Sequence, residues 1–594
     1  MKTRIQNIII LLLMSPSVWA QDIRVEPPFW WAGMHDPSLQ IMLYGENIAK
    51  YRVTINSEIV ELQRVIQVQS PNYLFLELKE KQGAEAGKFN IILNPVKGKQ
   101  KTIPYEFKER EEGSAFRMGF SSEDVLYLIT PDRFANGNPG NDNVKGMKET
   151  ANRGNKGGRH GGDIKGITDH LDYIDEMGFT SIWLNPLLVN DMDSFSYHGY
   201  STTDFYRVDP RFGTNEDYLE LSEKAREMGI GMIMDMIVNH SGSEHWWMKD
   251  LPSNDWLNQI DEDKYVNTTH RKTTIQDPYV SEIDLKEFTD GWFVPTMPDL
   301  NQRNPLLATY LIQNSIWWIE YAGLTGIRMD TYPYPDKEFM TDWTCAVMKE
   351  YPNFNVVGEE WSQSPAVVAF WQGGKENPNG YTSCLPGLMD FPLQSEMVRA
   401  LNENEDNFNG WVRIYEALAM DFMYADPSKL VVFPDNHDMS RIFTQLNEDY
   451  DHYKQAMIFV LTTRGIPQIY YGTEILMTNP GTGDHGIIRS DFPGGWEGDE
   501  VNAFTGKGLS EQQVKAQNFM KKLLNWRKTS EVIHHGDLIH YNSKNGVYVY
   551  FRIFEEQKVM VILNKNESPV SLKLERFNEV LKNKKHTGKD VISG

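Results

Sequence analysis

Long apolar stretches and cysteine are both nearly absent from this chain. Of 594 residues only Cys345 and Cys384 are cysteines. Two cannot form the disulfide framework of a small secreted scaffold, and their spacing fits no zinc pattern. Both are expected to be ordinary buried thiols. Positive charge is also in deficit: 59 Lys and Arg against 82 Asp and Glu leave a formal net charge of −23. A phosphate-backbone ligand needs a basic face, so a nucleic-acid partner is excluded, and the acidic balance serves solubility. The apolar run at residues 8–14 follows Lys2 and Arg4 and precedes Ser17-Val18-Trp19-Ala20. That order reads as a secretory signal peptide over residues 1–20, too short to persist as a membrane span. No cysteine follows it to carry a lipid. The mature protein is expected to begin near Gln21, exported and soluble, in the periplasm or the medium.

Aromatic residues, by contrast, are plentiful, with 16 Trp and 27 Tyr, and the length allows more than one domain. Between residues 23 and 107, short alternating runs such as Tyr51-Arg52-Val53-Thr54-Ile55 are separated by Gly, Asn and Pro. Period-two patterning with turn punctuation indicates an antiparallel β-sandwich of immunoglobulin-like type. A charged linker at 108–112 follows. From there eight apolar runs alternate with amphipathic stretches, at 125–130, 181–185, 232–238, 326–330, 355–359, 388–392, 430–434 and 466–471. Helices are expected at 215–227, 307–321, 453–463 and 509–528. Eight β/α units predict an α/β fold, a (β/α)8 TIM barrel over 113–530. The stretch 241–301, after the third strand, is too long for a loop and reads as an inserted subdomain above the barrel mouth. Alternation returns at 531–594, predicting a C-terminal β-sandwich domain.

Acidic residues close several of the barrel runs: Asp330 in Gly326-Ile327-Arg328-Met329-Asp330, Glu359 in Val356-Val357-Gly358-Glu359, and Asp438 after Asp435-Asn436-His437. Asp235-Met236-Ile237-Val238-Asn239-His240 precedes them. In a parallel barrel the strand C-termini converge on one mouth, so carboxylates distant in sequence can meet. Retaining glycoside hydrolysis needs two of them about 5 Å apart, one a nucleophile and one a proton donor. Arg328 lies two residues before Asp330 on the same strand face and favours its ionised form. Glu359 must keep its proton near neutral pH, and the charges of Asp330 and Asp438 push it that way. Asp438 and His437 are placed to grip sugar hydroxyls and spread transition-state charge.

These four runs resemble the characteristic regions of the α-amylase family, glycoside hydrolase family 13, over residues 125–528. The resemblance implies Asp330 as nucleophile, Glu359 as acid/base and Asp438 as transition-state stabiliser. It implies substrate contacts at His198, Tyr200, His240, Arg328 and His437, with Asp235 and Asn239 as supports. Glu360 rivals Glu359, but the Gly-Glu-x-Trp pattern favours Glu359. The N-terminal sandwich and Met297-Pro298-Asp299-Leu300-Asn301 are similar to neopullulanases and cyclomaltodextrinases, and Thr331-Tyr332-Pro333-Tyr334 to exported members of starch-utilisation systems. Many endo-acting members have Lys-His where Pro333 and Tyr334 stand, so the acceptor side is expected to differ. The resemblance further implies hydrolysis of α-1,4 bonds in cyclodextrins, pullulan and maltooligosaccharides, by a monomer or a homodimer. An exo-acting α-glucosidase and a non-catalytic glucan-binding protein are the alternatives. It also implies Ca2+, and no organic cofactor, at the loop carrying Asn136, Asn138, Asn141, Asp142, Gly161 and Asp163, whose composition also suits a plain turn. Trp30-Trp31 is read as packing, whereas Trp246-Trp247 could line acceptor subsites.

Overall fold

A computed structural model describes residues 23–258, 266–582 and 587–593; the signal peptide expected at 1–20 lies outside them. The N-terminal region is a sandwich of two four-stranded sheets. One orders strands Arg24–Glu26, Ser38–Tyr44, Tyr73–Glu80 and Val60–Gln67, the other Trp30–Trp31, Lys101–Lys108, Gly87–Pro95 and Tyr51–Asn56. Alternation places Ile103, Tyr105 and Phe107 between the sheets. Trp31 packs against Phe29 and Trp317, with Trp30 buried beside it, so the pair joins the sandwich to the barrel as read.

The barrel strands are β1 Leu126–Ile129, β2 Ser181–Leu184, β3 Gly231–Met236, β4 Gly326–Met329, β5 Asn355–Gly358, β6 Gly387–Leu388, β7 Val431–Val432 and β8 Ile466–Tyr470. All eight fall within the runs read from sequence or one residue from them. They pair in parallel in the order β6-β5-β4-β3-β2-β1-β8-β7. A bridge between Met389 and Val431 spans the remaining gap. Helices cover the outer face of the barrel and side chains fill its interior, so these strands are buried on both faces. Gly326 is needed at the floor, where a Cβ would fall 2.3 Å from the Phe120 ring. The outer helices begin on legible caps, such as the Thr214–Asp217 box of α1, Asn215–Glu227.

Four expectations are corrected, the last of them in the C-terminal region. The run 388–392 is not one strand: Asp390 accepts from Leu393 N and Pro392 follows Phe391, so a helix starts at Phe391. The residues of Trp246-Trp247 do not line the cleft. Trp247 is fully buried, and Trp246 packs on Tyr44 and Tyr73 with Arg24 4.6 Å above its ring, welding the insertion to the sandwich. The two cysteines are not free thiols: Cys345, on helix Lys337–Glu350, is joined to Cys384, with Cα atoms 5.1 Å apart. Thirty-nine residues of sequence separate them, which is why spacing alone did not suggest a pair. Closing a loop of that length removes about 4 kcal/mol of unfolded-chain entropy. Denaturant unfolding with and without reductant, and of Cys345→Ala/Cys384→Ala, is expected to show a loss of about 2–4 kcal/mol.

In the C-terminal region strands Asp537–Lys544, Val547–Phe554 and Gln557–Asn564 form a single three-stranded sheet. Phe577 and Val580, from the helical turns after it, pack on this sheet where a second facing sheet was expected.

Candidate active site

Strand alternation sends Asp235, Arg328 and the residues after β4 and β5 into one mouth. Arg328 lies at its centre, almost wholly buried. Its Nη1 donates to Asp235 Oδ1 at 2.9 Å and to Asp330 Oδ1 at 2.6 Å, and its Nη2 lies 2.8 Å from Glu359 Oε2. One guanidinium therefore binds three carboxylates from three strands. Asp235 also accepts from Trp183 Nε1 at 3.0 Å and from the Tyr200 hydroxyl at 2.9 Å. Burial pushes Asp330 well above the usual carboxylate range; Arg328 opposes this, while Glu359 and Asp235 add to it. The expectation that Arg328 simply keeps Asp330 ionised needs that correction. With three carboxylates sharing one cation, burial and mutual repulsion act against full ionisation of Asp330.

The residue Glu360 faces elsewhere. Its Oε2 accepts from Trp371 Nε1 at 2.9 Å, and burial raises it to about 8. Glu359, not its neighbour, is thus the carboxylate beside Arg328. Asp438 sits opposite, 23 % exposed, with Oδ2 2.8 Å from His437 Nε2 and Oδ1 accepting from Arg489 Nη2 at 2.5 Å. Burial acts to raise it, but His437 and Arg489 outweigh that and hold it well below the usual range.

Residues 128–531 match the family model described as "Alpha amylase, catalytic domain". The chain belongs to the α-amylase family. Residues 24–111 match "Cyclomaltodextrinase, N-terminal" and 538–594 "Cyclo-malto-dextrinase C-terminal domain". A beta/alpha-amylase of Paenibacillus polymyxa is 32% identical over 360 residues, 59% of this chain but only 28% of that protein. A cyclomaltodextrinase of Thermoanaerobacter pseudethanolicus is 28% identical over 465 residues, 76% of this chain and 72% of its own. Among solved structures, the acarbose complex of the Geobacillus thermoleovorans α-amylase superposes with a TM-score of 0.59 at 29% identity. That superposition covers 74% of this chain and 86% of the other.

Around the carboxylates of this α-amylase-family barrel, Tyr200 is a hub. Its hydroxyl accepts from Asn185 Nδ2 at 3.0 Å and lies 2.7 Å from His437 Nε2. His198 Nδ1 accepts from Tyr200 N at 2.9 Å, and burial lowers its pKa to about 3, so the ring is neutral. Burial likewise lowers His240 to about 4. Both His240 ring nitrogens have protein partners, Tyr200 O at 3.2 Å and Asn239 Nδ2 at 3.2 Å. In this arrangement His240 fastens the second-strand loop to the insertion, and Asn239 supports it. Beyond Asp438 a cavity of about 530 Å³ opens between Phe195, His198, Glu244, Thr296, His485 and Arg489. On the other side Tyr334 packs on Phe288 and Phe293, and its hydroxyl meets His270 Nδ1 at 3.1 Å. An aromatic wall thus stands where many endo-acting relatives were expected to carry Lys-His.

Sequence reading missed Arg489, which follows the short helix His485–Ile488 in a segment without periodicity. It also missed Trp183, whose indole nitrogen meets Asp235 from β2.

The loop after β1 gathers its candidates unevenly. Asn136 Nδ2 donates to Asp142 Oδ1 at 2.8 Å, and the side-chain oxygens of Asn136 and Asn141 are buried without partners. Asn138 Oδ1 accepts only from Gly140 N at 3.2 Å. Gly161, at φ +90°, keeps the space open; a Cβ there would lie 2.7 Å from Asp142 Oδ1. Asp163 instead spends both carboxylate oxygens on backbone N–H groups of Gly137, Asn138 and Gly166. Among the described residues no three His, Cys, Asp or Glu side chains cluster as a metal set. Unpartnered oxygens around one carboxylate nevertheless suit a hard cation.

Proposed function

We propose that this α-glucan hydrolase works by the retaining mechanism on α-1,4 bonds of cyclodextrins, pullulan and maltooligosaccharides. The observation that carries the reading is the single guanidinium of Arg328 joining Asp330 and Glu359 at one mouth. Asp330 attacks the anomeric carbon while Glu359 gives a proton to the departing glycosidic oxygen. Asp438, kept ionised by His437 and Arg489, stabilises the oxocarbenium-like charge. A water deprotonated by Glu359 then releases the sugar; a sugar hydroxyl in its place gives transglycosylation. The match of residues 24–111 to a cyclomaltodextrinase N-terminal model supports the cyclodextrin part of the proposal. Chromatography of products from pullulan, β-cyclodextrin and soluble starch tests it. Panose from pullulan with faster cyclodextrin opening is expected; glucose alone from every substrate would establish the exo-α-glucosidase instead.

Export is part of the proposal, supported by the leader-like residues 1–20 and by the Cys345–Cys384 disulfide, which an oxidising compartment preserves. Among the described residues no helix is long and apolar enough to cross a membrane.

Calcium is proposed at the loop after β1, held by the side-chain oxygens of Asn136, Asn138, Asn141 and Asp142 and the carbonyl of Gly161, with Asp163 capping the helix behind it. Bound there, the ion would supply charge to fix this loop rather than take part in the chemistry. With Asp142 the one carboxylate not spent on backbone donors, affinity should be modest. Adding Ca2+ to chelator-treated protein is expected to raise the unfolding temperature, and Asp142→Asn to abolish that rise. An unfolding temperature indifferent to Ca2+ would dismiss the site.

A further inference from the structure

Thr331 follows Asp330 directly and has φ +44°, in the left-handed region. A β-branched residue there is a true outlier and is strained. The turn aims the backbone: Thr331 N donates to Glu359 Oε2 at 3.0 Å, and Tyr332 N donates to Glu359 O at 3.1 Å. Glycine would make the same turn without strain and offer the same N–H. What glycine lacks is the hydroxyl, which in this chain donates to Asp330 Oδ2 at 3.3 Å. Thr331 is 7 % exposed, so water does not compete freely for that contact. Asp330 Oδ1 is already taken by Arg328, at 2.6 Å.

The two oxygens of Asp330 are thus held unequally, one by a buried cation and one by a rotatable neutral hydroxyl. Oδ2 can be released for attack at far smaller cost than Oδ1. We propose that Thr331 is a positioning residue that makes Oδ2 the attacking oxygen and tunes the lifetime of the glycosyl-enzyme; this rests on the retaining reading of Asp330 and Glu359. In the first step Oδ2 forms the bond to the anomeric carbon, the glycosidic C–O bond breaks, and the Glu359 proton goes to the leaving oxygen. In the second, water oxygen bonds to that carbon and its proton passes to Glu359. The C–Oδ2 bond breaks, and its electron pair returns to Oδ2. The Thr331 hydroxyl keeps its own proton throughout. It stabilises the free carboxylate more than the ester, so it restrains attack and assists departure.

Removing the hydroxyl should therefore leave the covalent intermediate longer lived. Thr331→Val keeps the shape, Thr331→Gly keeps the turn and relieves the strain, and Thr331→Ser restores the hydroxyl. With 4-nitrophenyl α-maltoside, Val and Gly variants are expected to show a burst of nitrophenol followed by a steady rate about tenfold below wild type. Intact-mass measurement during turnover should show the maltosyl-enzyme, and the Ser variant should reverse both changes. A Val or Gly variant with the wild-type rate and burst would overturn the proposal, as would a slowed one that neither bursts nor accumulates adduct. Asp330→Asn separates the two layers. If it stays active, the retaining reading itself fails; if it is dead while Thr331→Val shows no burst, only the role of Thr331 fails.

Discussion

Asp330→Asn is expected to lower kcat on maltoheptaose by about 10⁴-fold or more, with the unfolding transition little changed. An amide oxygen cannot form the glycosyl ester, yet it can still accept from Arg328 while the amide NH2 donates to the Thr331 hydroxyl, so the packing survives. Glu359→Gln should cost about 10²–10⁴-fold on the same substrate. It should cost far less on α-maltosyl fluoride, whose leaving group needs no proton in the first step. The pH profile adds an independent check. Asp330 must be ionised to attack, so activity falls on the acid side as it takes up a proton. Because burial raises Asp330, that proton arrives at higher pH than for an ordinary carboxylate, so the acid limb is displaced upward. Full activity of either variant on maltoheptaose would remove these carboxylates from the mechanism.

Replacing Arg328 is expected to damage stability as much as rate. Three carboxylates divide this one buried guanidinium. Arg328→Met leaves their charge uncompensated, a loss of about 3–5 kcal/mol, read as a lower denaturant midpoint together with loss of turnover. Adding Asp235→Asn removes one of the stranded charges and should recover part of that stability without restoring activity. Arg328→Lys keeps the charge but offers a compact ammonium where a planar fork spans Asp235, Asp330 and Glu359. It should fold and lose about 10²-fold in kcat through misplaced carboxylates. An Arg328→Met protein as stable as wild type would show that the carboxylates simply take up protons, and would refute the shared-cation account.

Much of this was legible locally. The eight barrel runs and the N-terminal sandwich alternation depend on period and on residues a few positions apart, so the sequence by itself determined the barrel and the N-terminal sandwich. It also determined which acids end strands β4 and β5, because a strand's last residue is a local property. Where the local signal was short, the reading slipped: at 388–392 an apolar run hid a helix start marked by Asp390 and Pro392. Only the tertiary structure decided who meets whom. Cys345 finds Cys384, Arg489 reaches Asp438 from beyond β8, Trp246 turns to the sandwich, and Arg328 binds three acids rather than one. Those contacts join residues tens to hundreds of positions apart. Their energies depend on burial and on mutual distance, neither of which exists until the chain closes into a barrel.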